Sequence, residues 1–163
     1  MDASQQGGDT APAGVITRPP LLYLACLILG LVLDQMLSLP LTLPDTALVR
    51  WTVGGGLILL GVAIAAAGIR NFSRAATPVQ TSQPVRALVT TGIHGWSRNP
   101  IYVGMFFVYA GIALAAQSAW VLVLTLPLTI AMRYGVVARE EAYLERRFGD
   151  ACRDYNARVR RWL

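Results

Sequence analysis

Arg98-Asn99-Pro100-Ile101-Tyr102 and Glu140-Glu141 are the residues of this chain best suited to chemistry. Asparagine suits a helix N-cap and proline the first helical position, so Asn99-Pro100 opens a helix. The backbone N–H groups left free there, beside Arg98, make an anion site. Glu140 and Glu141 supply the opposite pole, for a cation or an amine. They lie near an apolar boundary, where a charge is expensive. As the end of a helix they would also face the negative end of its macrodipole. A structural ion pair with Arg133, seven residues before Glu140, is the ordinary alternative. Together the two poles suit a zwitterionic ligand, and His94, Trp96, Tyr102, Tyr143 and Tyr155 offer aromatic faces for its cation. His94 is the only histidine, so no histidine-based metal site is available and no metal is expected.

The poles meet only if the chain between them folds back. Residues 99–132 carry no charge. As one helix, at about 1.5 Å per residue, they would reach roughly 50 Å against a hydrocarbon core of roughly 30 Å. A reversal at Gln117-Ser118 instead gives two antiparallel helices whose polar ends share one membrane face. The full pattern predicts an all-α integral membrane protein with four transmembrane helices, at about 20–39, 51–69, 99–117 and 119–138. A cytoplasmic amphipathic C-terminal helix, or pair of helices, follows.

Composition agrees, with 55% hydrophobic and 14% charged residues, which excludes a disordered chain and disfavours a soluble globule. The net charge of +5 comes from arginine alone, since lysine is absent. Four crossings place all arginines but Arg50 on or toward one side, which the positive-inside rule makes cytoplasmic. Topology thus accounts for the basic charge, and no nucleic-acid partner is expected. Both termini are expected in the cytoplasm, and the membrane is expected to be a bacterial inner membrane. Residues 1–17 read as a disordered cytoplasmic tail without the basic n-region of a secretory signal, and 18–163 as a single membrane domain. Cys26 and Cys152 read as free thiols.

Between the spans, Pro40 to Pro44 reads as an outer loop. Gly54-Gly55-Gly56, Gly61 and the small residues from Ala63 to Gly68 read as a surface for close helix approach; no lysine follows them to make a phosphate loop. Residues 70–98 form a long connection leading into the third helix. Beyond Ala138, Leu144, Phe148, Cys152, Tyr155, Val159 and Trp162 form an apolar stripe suited to a membrane surface. Gly149-Asp150 is placed to break that helix, with Asp150 as a cap.

Leu88-Val89-Thr90-Thr91-Gly92, Trp96-Ser97-Arg98-Asn99-Pro100-Ile101-Tyr102-Val103-Gly104, Glu140-Glu141, Leu144, Phe148-Gly149, Tyr155 and Arg158-Val159 resemble, in order and spacing, the isoprenylcysteine carboxyl methyltransferase and phospholipid methyltransferase superfamily. The resemblance covers roughly residues 70–163. It implies S-adenosylmethionine as cofactor, held by His94, Asn99, Pro100, Tyr102, Glu140 and Glu141. It also implies that Arg98 and Arg158 hold a substrate carboxylate, and it makes Arg98, Glu141 and Arg158 the catalytic candidates. Three positions depart from the family pattern. Asn99 replaces a frequent histidine, Gly92-Ile93-His94 replaces a usual Gly-Pro/Val-Tyr, and Cys152 replaces the first tyrosine after Phe-Gly.

The implied reaction is methyl transfer to a lipophilic acceptor that enters sideways from the bilayer, most like isoprenylcysteine-type carboxyl O-methylation. Charge is lost as a positive sulfonium meets a negative nucleophile, so a dry pocket helps. A phospholipid amine acceptor is the alternative, and it needs a base such as Glu140 or Glu141. From another class, a small four-helix transporter would carry its key charge near the bilayer midplane, which only Arg133 approaches. Oligomeric state is open.

Overall fold

The computed structural model describes residues 18–37, 39–40, 46–78 and 85–163, so the expected tail at 1–17 and most of the outer loop lie outside them. The described residues form five helices and no strand: α1 Pro19–Met36, α2 Ala47–Arg74, α3 Pro100–Ala115, α4 Ala119–Phe148 and α5 Asp150–Arg158. The protein is an integral membrane protein by its helices. α1, α2 and α4, with 18, 28 and 30 residues, are long and apolar enough to cross a bilayer. α3 is equally apolar but has 16 residues, about 24 Å of helix. It is shorter than the expected span at 99–117, and it contributes much of the core through Val103, Tyr109 and Ala113.

α3 can be short and central because α2 comes so close to it. A Cβ added to Gly104 would stand 2.5 Å from the Gly61 carbonyl oxygen, and one added to Gly111 would stand 2.6 Å from that of Gly54. Gly54, Gly61 and Gly68 recur every seventh residue; the first two put backbone against backbone and Gly68 admits the Ile101 side chain, the close approach expected of small residues in a membrane. α1 packs mainly on α4 instead. The Tyr23, Tyr109, Val121, Leu128, Met132 and Val136 side chains fill the centre of the bundle.

The turn between α3 and α4 falls at Gln117-Ser118, as the charge-free run requires. Ser118 caps α4 by accepting from the Val121 N–H at 3.0 Å, and its own N–H bonds the Ala113 carbonyl at 2.9 Å. Gln117 takes a φ of +54° to make the corner.

Three local expectations need correction. α4 does not end near Glu140 but continues to Phe148, so the two glutamates sit inside a helix and face no C-terminal dipole. Residues Met132–Val137 of α4 form a π-helical turn, whose i→i+5 bonding shifts the register by one residue. Arg133 and Glu140 therefore do not share a face. Arg133 is exposed, with its guanidinium 5.5 Å from the Tyr134 ring centre. Gly149, at φ +53°, does break the helix there. Asp150, however, is the first residue of α5 and pairs with Arg153 instead of capping.

The apolar stripe of the C-terminal helices also turns inward. Cys152 and Tyr155 are buried, and the Tyr155 hydroxyl donates to the His94 carbonyl at 2.7 Å. α5 is thus a buttress for the connection before α3, not solely a membrane-facing surface.

Candidate functional site

A cleft of about 140 Å³ lies where α3 begins and where α4 passes its charged segment, with Phe72, Pro78, Val85, Ala87, Leu88 and Val89 also along its wall. Arg98, His94, Asn99, Pro100, Tyr102, Glu140 and Glu141 all line it, so the structure gathers these sequence candidates into one place. Arg158 is not among them. It is exposed on α5, and its Nε donates to the Asp154 carbonyl at 3.2 Å. Trp96 is 83% exposed and lies outside the cleft as well.

Pro100 occupies the first turn of α3 as expected. Asn99 precedes it, but its side chain does not cap the helix. Its Nδ2 donates to the Arg161 carbonyl at 3.0 Å, and its own N–H is taken by the Ser97 hydroxyl at 3.2 Å. The N–H groups of Ile101 and Tyr102 precede the first i→i−4 bond, which Val103 makes to Asn99. The positive end of α3 is therefore free to meet an anion.

Glu140 is the negative pole. Its carboxylate accepts from the Tyr102 hydroxyl at 2.7 Å and makes no ion pair among the described residues. The twenty residues from Ala119 to Ala138 suffice for the bilayer core, so Glu140 stands just past the membrane-spanning part. Its burial raises its pKa to about 7. The Tyr102 hydrogen bond pulls the value down, and the nearby Glu141 pushes it up. Glu140 is thus partly ionised at neutral pH and gains most from an added cation. The folded-state value lies above the ordinary carboxyl value of 4.5. The native protein accordingly holds more protons between those limits, and stability falls as pH rises from about 4.5 through about 7.

Tyr102 is itself held by its neighbours, since its carbonyl accepts from the Tyr23 hydroxyl at 3.2 Å. Replacing Tyr102 by phenylalanine removes the one interaction that lowers the Glu140 pKa. The expected outcome is a Glu140 titration moved above pH 7, read as an alkaline shift of the pH range over which thermal stability falls.

Glu141 differs from its neighbour because it is already engaged. Arg161 holds it with two hydrogen bonds, Nε to Oε1 at 3.0 Å and Nη2 to Oε2 at 2.7 Å. Arg98 Nη1 lies 3.1 Å from Oε1. The Arg98 Nε is buried and has no hydrogen-bond partner among the described residues.

His94 is buried, and desolvation lowers its pKa to about 4, so the ring is neutral at pH 7. Its Nδ1 lies 3.3 Å from Asn71 Nδ2, and Phe72 meets its ring edge to face at 5.0 Å. Asn71 also donates to the Thr91 carbonyl at 2.7 Å. These contacts moor the connection before α3 to the end of α2. Sequence reasoning missed Asn71, Tyr23 and Arg161. The only sequence signals were a polar residue just beyond an apolar span for Asn71 and a spare arginine after the helical stripe for Arg161.

Comparison with known proteins places this site in context. The phospholipid methyltransferase family matches residues 49–151, more than half of the chain, from the start of α2 through α4. The chain belongs to that family. A membrane methyltransferase acting on a lipid-type substrate is what membership supports, and the residues lining the cleft, apart from Tyr155, lie within the matched region. A 27-residue segment is also 63% identical to an uncharacterized protein of Haemophilus influenzae, over 17% of this chain and 43% of that protein. The chain thus aligns with less than half of that relative's length. No solved structure matches the chain.

Proposed function

We propose that the cleft binds S-adenosylmethionine at the cytoplasmic face of the membrane and methylates the amine headgroup of a lipid that enters from the bilayer. The observation that carries this reading is Glu140, a carboxylate set beside an apolar helix with a hydroxyl for company and no cation paired with it among the described residues. An unpaired carboxylate in such a place is costly unless a cationic ligand joins it. The buried Arg98 Nε, without an acceptor, is the matching need at the other pole. The two needs fit the cofactor's amino acid and sulfonium groups.

When bound, the cofactor supplies a methyl group on a positively charged sulfur. The chain's own part is to hold and exclude. Arg98 and the start of α3 take the carboxylate. Tyr102 and Glu140 face positive charge, and the apolar walls given by Val85, Ala87 and Leu144 keep water out. An amine acceptor arrives as an ammonium and must lose a proton before its lone pair can react. Glu140, with a pKa near neutrality, is suited to take that proton. Arginine clustering on the side of the cleft supports the cytoplasmic assignment.

The sequence also suggests a carboxylate acceptor clamped by Arg98 and Arg158. What favours the amine is the position of these two arginines. Arg158 lies outside the cleft, and Arg98 stands at the pole that takes the cofactor's own carboxylate. Transfer of a radiolabelled methyl group from S-adenosylmethionine into membrane lipids and prenylated cysteine substrates separates the two. Base-stable label in an amine headgroup is the expected outcome. Base-labile label would identify a methyl ester and overturn the amine assignment. No label in any lipid pool, from folded protein, would count against the methyltransferase reading of the cleft.

A further inference from the structure

We infer that Arg161 is a positioning residue that keeps Arg98 open to an anionic ligand group. The inference rests on the proposed binding of S-adenosylmethionine. Glu141 is contested by two arginines, and the contest is unequal. Arg161 presents its Nε–Nη2 fork to both carboxylate oxygens, at 3.0 and 2.7 Å. A two-pronged contact of this kind is the strongest and most directional that a guanidinium makes. Arg98 is left with one nitrogen, Nη1, at 3.1 Å from a single oxygen. Its Nε is buried, with no acceptor among the described residues.

Buried donors in folded proteins nearly always find a partner, and an orphan calls for an explanation such as a missing ligand. Without Arg161, Arg98 is free to turn its own fork onto Glu141 and satisfy its Nε there. The pole meant for an anion would then be closed. Arg161 prevents that by occupying the carboxylate first.

The backbone supports the same arrangement. α5 ends at Arg158, and Val159 is extended, with φ −115° and ψ 132°. The chain therefore leaves the helix and runs back along the start of α3. There the Arg160 carbonyl accepts from the Arg98 N–H at 2.9 Å, and the Arg161 carbonyl accepts from Asn99 Nδ2 at 3.0 Å. One short segment grips the main chain at Arg98, the side chain at Asn99 and the carboxylate between them. Arg98 is set from both sides.

The test uses two ligands that differ by a carboxylate, S-adenosylmethionine and its decarboxylated analogue. Both are titrated against the full chain in lipid nanodiscs. In Arg161→Gln, affinity for S-adenosylmethionine should fall by about tenfold to a hundredfold, the effect of one charge-assisted contact. Affinity for the decarboxylated analogue should hardly change. Arg98→Gln should give the same loss of preference, because Arg161 acts through Arg98. Arg161→Lys, which keeps the charge without the fork, should fall between the two and serves if the glutamine variant does not fold. Equal losses for both ligands, or no loss for either, would overturn the role given to Arg161 while leaving the cofactor reading intact. Failure of the unaltered protein to bind either ligand would overturn that reading and this inference with it.

Discussion

Glu140→Gln should lower turnover by roughly a hundredfold or more while leaving the protein at least as stable as before. The two halves of that result have one cause. Glu140 has no ion pair among the described residues, so its charge is uncompensated in the resting protein. Burial has already moved its pKa to about 7, which is the mark of a carboxylate that the fold disfavours. Glutamine keeps the shape and still accepts from the Tyr102 hydroxyl, but it removes the buried charge. At pH 8, where Glu140 is mostly ionised, the variant's melting temperature should therefore hold or rise. On the proposed function, turnover should suffer because the same charge would attract the cofactor's cationic groups and take the acceptor's proton. Loss of general base catalysis alone typically costs about 10²–10⁴ in rate. A melting curve and a turnover assay on one preparation check both halves. Glu140→Gln at full activity would remove Glu140 from the site.

Gly104→Val should be the most damaging single change to the fold. A Cβ at this position would sit 2.5 Å from the Gly61 carbonyl oxygen and 2.7 Å from the Ala65 nitrogen, both backbone atoms that cannot step aside. Valine adds two methyl groups to that clash, so α2 and α3 must separate. Overpacking of a tight contact costs about 1–3 kcal/mol and sometimes more, and this site lies at the upper end of that range. Activity should fall further than stability, because α3 carries Asn99, Pro100 and Tyr102. A displacement of about 1 Å at reacting groups is worth as much as a hundredfold in rate. Gly55→Ala is the internal control. Nothing stands within 4 Å of its added Cβ, so its melting temperature should match the parent or exceed it. Equal melting temperatures for Gly104→Val and Gly55→Ala would refute the backbone-to-backbone account of α2 and α3.

These two positions also mark what the sequence could and could not disclose. The glycine spacing in α2 and the proline opening α3 were legible because each depends on local chemistry. A small residue permits close approach, and proline suits a first turn. The corner at Gln117-Ser118 was legible from length. The convergence of Arg98 with Glu140 and Glu141 followed from length alone, since residues 99–132 are too many for one crossing and about right for a hairpin. The π turn at Met132–Val137 left no such trace. An apolar run has the same composition whether its bonds go to the fourth or the fifth residue, so the shared face that the alternative Arg133–Glu140 pair required could not be checked from spacing. Arg161 was hidden for a different reason. α5 stops at Arg158 and the chain becomes extended, so helical spacing no longer says which arginine comes back to the cleft. The inward turn of Cys152 and Tyr155 was equally invisible, because an apolar stripe fits a membrane surface or a protein core equally well.

The central claim is that the cleft is a cofactor site with Glu140 as its cation pole, and calorimetry in two buffers of different ionisation enthalpy tests it most directly. A cation drawn to Glu140 favours its ionised form, so binding near pH 7 must expel protons from the fraction that is protonated. Titration of S-adenosylmethionine into the nanodisc-embedded protein should give saturable heat. The heat should depend on the buffer and report net proton release at pH 7, since Glu140 titrates near that pH. Proton release should fade above pH 8 and vanish in Glu140→Gln. Folded protein that gives no binding heat at millimolar cofactor would contradict the account, as would binding whose proton release is unchanged in Glu140→Gln.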